Sequence, residues 1–128
     1  MKAVLVVDDN TAVRMVLNDF LTMAYPTARI LQAENGADGL VLAHEEHPDV
    51  VLMDAEMPVL DGFTAAKKLR EADDTKSIPI IAISSGASNN ELVTGLRSIA
   101  DDSLPKPFTA DQLLQTVSGV LSKRMVLS

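Results

Sequence analysis

Apolar residues fall along this chain in two alternating rhythms. Short continuous runs of Val, Ile and Leu mark strands buried on both faces, and longer segments with apolar residues three and four apart mark amphipathic helices. Ala3–Val7 is a β-branched run and predicts the first strand. Val13, Val16, Leu17, Phe20 and Leu21 then recur at helical spacing. Asn10 or Thr11 is placed to cap that helix, and Pro26 lies beyond its end. Arg29–Ala33 predicts a second, weaker strand. Asn35-Gly36 is a turn signal, and Ala37–Glu46 reads as a helix with Leu40 and Ala43 inward. Pro48-Asp49 turns the chain into Val50–Met53, the strongest strand.

Residues Asp54 to Gly62 form a loop carrying Pro58 and Asp61-Gly62. Thr64–Glu71 predicts a short helix, and Ile78–Ile83 another apolar strand ending at Ser84-Ser85-Gly86. Asn90–Ile99 is a candidate helix with Gly95 inside it, and Ser103-Leu104 a very short strand before Pro105-Lys106-Pro107. Thr109-Ala110-Asp111-Gln112 fits a capping box. It opens a last helix with Leu113, Leu114, Val117, Val120 and Leu121 on its apolar stripe. Five strands and five helices in strict alternation predict an α/β fold, a parallel sheet with helices on both faces and right-handed crossovers. The pattern occupies residues 1–123 as one domain. Residues 124–128 read as a C-terminal extension, disordered or prolonging the last helix.

Composition narrows the function. Apolar residues make up 47% of the 128, but aromatics only 3%, with no Trp and Tyr25 alone, so the core must be aliphatic and no platform exists for stacking bases. The net charge of −7 repels a phosphate backbone, which argues against direct nucleic-acid binding. The lack of cysteine removes disulfides, thiolate chemistry and cysteine zinc sites, and fits a reducing compartment. No apolar stretch reaches the length of a membrane span, and the run at the N-terminus, interrupted by Asp8, is a strand and not a signal peptide.

Candidate chemistry lies at strand ends. Asp8-Asp9 follow Val4–Val7, Asp54 follows Val50–Met53, and Lys106 follows the short strand at Leu104. In an open α/β sheet these ends converge on one crevice. Charges there are expensive to desolvate unless they do chemistry or hold a cation. Adjacent Asp8 and Asp9 stay ionised together only with a compensating cation, and magnesium suits them: it takes oxygen ligands and keeps waters that a phosphate can replace. Asp54 beside such an ion can act as a nucleophile toward phosphorus. Lys106 can place a point charge on a phosphoryl oxygen, and Pro107 makes the Lys106–Pro107 bond a candidate cis peptide that aims the lysine inward. The Ser84 hydroxyl can donate to the same group, with Ser85 competing for that role. His44 and His47, beside Glu45 and Glu46, read as a solvated helix end and not a metal pair. The methionines read mostly as core filler, with Met57 the exception beside Asp54.

Together these residues resemble the receiver domain of bacterial two-component response regulators, of the single-domain, chemotaxis-regulator type. The matching stretches are Val4 to Asn10, Leu52 to Gly62, Pro79 to Ser84 and Lys106-Pro107-Phe108, in order and at the right spacing. The resemblance implies a doubly wound five-stranded sheet in the flavodoxin-like order 2-1-3-4-5. It implies Asp54 as phosphoacceptor from a phosphohistidine on a sensor histidine kinase or phosphotransfer protein. It implies Mg2+ held by Asp9, Asp54 and the backbone carbonyl of Glu56, with Asp8 acting mostly through water. Ser84 matches the switch hydroxyl and Lys106 the phosphate-binding lysine. It further implies a cytoplasmic protein with a downstream protein target. If the 128 residues are the whole protein, output is expected through contact with a partner on the fourth helix, last strand and fifth helix; if the chain is a piece of a longer protein, it is expected to be the receiver of a hybrid kinase or a transcription factor.

Four positions depart from the family. Ser103 stands where an aromatic swings inward on phosphorylation, Ile99 where a helix-ending glycine is usual, and Glu56 and Gly86 at positions that tune phosphoryl lifetime. Ser103 motivates an alternative, a phosphate-independent interaction module on the same fold. A phosphatase of the aspartyl-nucleophile class is disfavoured by Glu56, where its second aspartate would stand. A flavin binder is disfavoured by Asp8-Asp9, where a phosphate loop would stand.

Overall fold

A computed structural model describes residues 1–85 and 90–127, with side chains to 123. Strands and helices alternate as β1 (Ala3–Val7), α1 (Thr11–Ala24), β2 (Arg29–Ala33), α2 (Gly36–Glu46), β3 (Val50–Asp54), α3 (Gly62–Glu71), β4 (Ile80–Ser85), α4 (Glu91–Ile99), β5 (Asp102–Lys106) and α5 (Ala110–Leu127). The strands form one parallel five-stranded sheet in the order β2-β1-β3-β4-β5, the flavodoxin-like order. Among the described residues no helix is long and apolar enough to cross a membrane.

The period-two alternation of each strand divides the core into two layers. Val4, Val6, Val50, Leu52, Ile81, Ile83 and Leu104 pack against Leu17 and Leu21 of α1 and Leu113, Val117 and Val120 of α5. Leu5, Val7, Val51, Met53, Ile80 and Ala82 point the other way, against α2, α3 and α4 through Ala43, Ala65, Leu69, Val93 and Leu96. β1 and β3 are buried at every position, which is why they read as unbroken apolar runs. Val16 is an exception to the expected α1 stripe: it faces solvent, as do Met15 and Met23, so these two methionines fill no core.

Helix starts follow their caps. Asn10, Asn35, Asp61 and Asn90 each accept a backbone N–H three residues on, at 3.1, 2.8, 2.8 and 3.0 Å. Asp61 thereby starts α3 at Gly62, two residues before the Thr64 that periodicity indicates. At α5 the capping box closes both ways: the Gln112 N–H donates to Thr109 Oγ1 at 3.1 Å and the Thr109 N–H to Gln112 Oε1 at 2.9 Å. β5 runs further than the Ser103-Leu104 pair suggests because it is an edge strand, where Pro105 is tolerated and only Leu104 needs burial. α4 ends in extended Ala100, so Ile99 needs no glycine beside it, and Arg70 Nη2 takes the free Ile99 carbonyl at 3.2 Å.

Gly62 and Gly95 permit close approaches that a side chain would block. A Cβ at Gly62 would stand 1.8 Å from the Asp54 carbonyl oxygen, and one at Gly95 would stand 2.4 Å from Phe63 Cε2. Gly95 thus weakens α4 as a helix but lets it lie against α3. Gly62→Ala is expected to lower unfolding stability by about 3 kcal/mol, because backbone must move to admit the methyl. Gly119→Ala in α5, where nothing lies within 4 Å, should instead raise it by about 0.5–1 kcal/mol. Urea midpoints of the two variants check this, and equal midpoints would refute the close approach.

Candidate functional site

The C-terminal ends of the strands bring the singled-out residues to one crevice. Asp8 follows β1, Asp54 ends β3, Ser84 is the penultimate residue of β4, and Lys106 ends β5. Buried apolar strands cannot hold an uncompensated charge inside, so the first ionisable residue falls where the backbone leaves the core.

Asp8 has no solvent exposure, and Lys106 Nζ meets its Oδ2 at 2.9 Å. The Asn10 N–H donates to Asp8 Oδ1 at 2.9 Å. Lys106 Nζ also lies 3.7 Å from Asp54 Oδ1, which accepts the Ala55 N–H at 3.0 Å. The Lys106–Pro107 bond is cis, as the sequence suggests. Asp9 is exposed. Carboxylate oxygens of Asp8, Asp9 and Asp54 lie within 4.8 Å of one another, and among the described residues they form the group able to hold a metal ion. Three carboxylates against one ammonium leave surplus negative charge, and an all-oxygen donor set suits a hard divalent cation such as magnesium.

The same crowding acts on Asp54. Burial, then the Asp8 carboxylate, push its pKa from the ordinary 3.8 up to about 6; Lys106 and the Ala55 N–H pull it down, and Asp9 adds a smaller upward push. Asp54, Glu56, Ser84, Ser85, Val93 and Lys106 line a cavity of about 180 Å³. A carboxylate, a hydroxyl and an ammonium on its walls can accept an electrophilic group and neutralise an anion carried with it. A wider hollow of about 430 Å³ is lined by Arg14, Glu34, Asp38 and Val41, where Arg14 already faces Glu34 at 3.6 Å.

Ser84 is 2% exposed, and its hydroxyl accepts from Arg97 Nη2 at 2.8 Å, whereas Ser85 is exposed. The Glu56 carboxylate accepts from the side-chain amide of Asn90, the cap of α4. Ser103 is exposed on β5, paired in register with Ala82. Gly86 lies outside the described residues. His44 Nδ1 and His47 Nε2 both approach Asp74 Oδ2, at 2.7 and 3.6 Å, so the histidines belong to an exposed ion-pair cluster.

Two arginines escaped the sequence reading. Arg14, largely buried in α1, donates from Nη1 to the Asp8 carbonyl at 2.7 Å. Arg97 reaches Ser84 from α4. Both stand at helical spacing from buried residues, Arg14 from Leu17 and Leu21, Arg97 from Val93. A cation inside an apolar stripe was the available signal.

The raised pKa of Asp54 gives a stability–pH prediction. A carboxyl that holds its proton more tightly when folded favours the folded state at low pH, and that advantage is lost as pH rises from about 4 through about 6. In metal-free buffer at pH 7.5, about 1.5 units above the folded value, Asp54→Asn should therefore be more stable than the parent by about 1–2 kcal/mol. The difference should vanish near pH 4. Denaturation curves across this range decide it, and a gap that widens on acidification would contradict the sign.

Comparison with known proteins agrees with this geometry. Residues 4–118 match the response regulator receiver domain family. Protein PilH of Pseudomonas aeruginosa is 39% identical over 122 residues, covering 95% of this chain and 99% of PilH. The response regulator MprA of Mycolicibacterium vanbaalenii is 37% identical over 120 residues, covering 94% of this chain and 50% of MprA, so the chain spans about half of that relative. The structure of the chemotaxis protein CheY4 of Vibrio cholerae matches with a TM-score of 0.82 at 30% identity, covering 94% of this chain and 98% of that one. The receiver domain of a sensor histidine kinase from Pseudomonas aeruginosa, which has a magnesium ion coordinated in its active-site cleft, matches with a TM-score of 0.86 at 26% identity over 94% of this chain and 98% of its own. The chain belongs to the response regulator receiver domain family of two-component signalling.

Proposed function

We propose that the chain is a phosphorylation-dependent signalling receiver in which Asp54 accepts a phosphoryl group from a phosphohistidine of a sensor histidine kinase or phosphotransfer protein. An Asp54 oxygen forms the new bond to phosphorus, the P–N bond to the donor imidazole breaks, and the imidazole nitrogen takes up a proton. The observation that carries this reading is the placement of Asp54 on a cavity wall with Lys106 Nζ 3.7 Å away and Ser84 lining the same space. Asp54 must be ionised to attack, and its pKa of about 6 leaves it so at neutral pH. Lys106 offers its ammonium to the incoming phosphoryl oxygens, and Ser84 donates a hydrogen bond to them.

Asp9, Asp54 and the Glu56 backbone carbonyl, with Asp8 acting through water, would hold Mg2+, which would supply positive charge where two anions must approach. The magnesium site of the related kinase receiver and the oxygen cluster here support this assignment. The expected partners are a histidine kinase or phosphotransfer protein and a downstream protein, in the cytoplasm. The acidic balance of −7 and the lack of a membrane-spanning helix among the described residues fit protein partners better than nucleic acid or bilayer. A second reading, a phosphate-independent interaction module, rests on the exposed Ser103 at the position of the family's aromatic.

Incubation with acetyl phosphate and magnesium, followed by intact mass, is expected to add one phosphoryl group. Asp54→Asn and a chelator should each abolish it. Equal modification of Asp54→Asn would sink the assignment. No addition to the parent chain with magnesium present would favour the second reading.

A further inference from the structure

Ser84 and Arg97 form a link that the reaction at Asp54 does not by itself require. A serine hydroxyl has one proton and two lone pairs, whereas a guanidinium only donates. The 2.8 Å contact from Arg97 Nη2 therefore occupies a lone pair of Ser84 Oγ and leaves the serine proton for another acceptor. Ser84 lines the cavity that also holds Asp54. A donor bound to its oxygen also polarises the hydroxyl and strengthens it as a donor in turn.

A second observation concerns the guanidinium itself. Arg97 Nε is buried and has no hydrogen-bond partner among the described residues. An unmet buried donor is unfavourable, so the inward placement of this side chain is held by its other contacts, the one to Ser84 among them. Strand alternation puts Ser84, Ala82 and Ser103 on the α4 side of the sheet, opposite Ile83 and Leu104. Ser103 brings no bulky side chain to that side. α4 also meets the crevice at its other end, where Asn90 donates to Glu56.

We propose that Arg97 is a positioning residue that aims the Ser84 hydroxyl at a phosphoryl group on Asp54 and ties α4 to the occupancy of that site. The inference rests on the phosphoacceptor reading above. When a phosphoryl anion enters the cavity, Ser84 donates to it while still accepting from Arg97. The guanidinium follows the hydroxyl, and α4 follows the guanidinium. No aromatic on β5 is needed for this path.

The test compares the parent chain, Arg97→Gln, Arg97→Lys, Ser84→Ala and the double variant Arg97→Gln/Ser84→Ala. Each is held with magnesium and excess acetyl phosphate, with phosphoryl occupancy read by intact mass. Backbone amide exchange of α4 is measured with and without acetyl phosphate and scaled to occupancy. The parent should show a phosphorylation-dependent change in α4 exchange. Arg97→Gln and Ser84→Ala should each reduce that change about fivefold, the effect of one lost hydrogen bond. The double variant should be no worse than either single, because both remove one path, and Arg97→Lys should restore part of the response. A parent-like α4 response in Arg97→Gln, or effects that add in the double variant, overturns the proposal. A parent that takes up no phosphoryl group overturns the phosphoacceptor reading itself, a result visible in the mass before any variant is compared. Should Arg97→Gln fail to fold, the Arg97→Lys and Ser84→Ala pair carries the same comparison.

Discussion

Asp8 is a carboxylate without solvent exposure, and its compensating charge comes from Lys106, 98 residues along the chain. Much of the crevice depends on that contact. It joins the turn after the first strand to the end of the last strand, across β3 and β4. Removing Lys106 leaves the fully buried Asp8 charge without its partner, a penalty of up to about 3–5 kcal/mol, whereas Lys106, a quarter exposed and also near Asp54, tolerates the loss of Asp8 better. The pair also governs its neighbour. Lys106 is closer to Asp8 than to Asp54, so its ammonium only partly offsets the burial and repulsion acting on Asp54. The acidic surplus that remains is what makes the site receptive to a divalent cation.

The loop between β3 and α3 is tied closely to its surroundings. The Gly62 N–H donates to the Ala55 carbonyl at 2.9 Å, and the Gly36 N–H to the Leu60 carbonyl at 3.0 Å, so the loop is bonded at both ends to its surroundings. Between them Val59 takes φ 70°, a left-handed conformation that a β-branched residue resists. Its side chain is almost fully exposed. Strain of this kind persists only where surrounding bonds enforce it, and it lies here in the loop that follows Asp54. The rigid sheet below and the bonded loop above hold Asp54 in place before any ligand arrives.

α4 is the element least fully described by its own apolar stripe. It is anchored by Val93 and Leu96, lies close to Phe63 through Gly95, and touches the crevice through polar side chains at both ends. Hydrogen bonds to a reacting site transmit its state more readily than apolar packing, which does not discriminate between charges. Ser103 on the neighbouring edge strand is exposed and brings no bulky side chain to the α4 side.

The strands of this protein were legible from sequence because they are buried on both faces, so an unbroken Val4–Val7 or Val50–Met53 has few other ways to be stable. The caps Asn10 and Thr109 were legible because their bonding is local. The acidic residues and lysine could be placed in one crevice because strand ends in a parallel sheet converge. Boundaries at β5 and α3 shifted because an edge strand tolerates Pro105 and because Asp61 caps earlier than apolar spacing suggests. What tertiary structure alone decided is which charge meets which. Lys106 rests on Asp8 more closely than on Asp54, Arg14 clasps the Asp8 carbonyl, Arg97 reaches Ser84, and Asp74 gathers two histidines. Apolar burial is additive along the chain and leaves a periodic trace, whereas a charge pair depends on distances of a few ångströms between residues far apart in sequence, which no local pattern encodes.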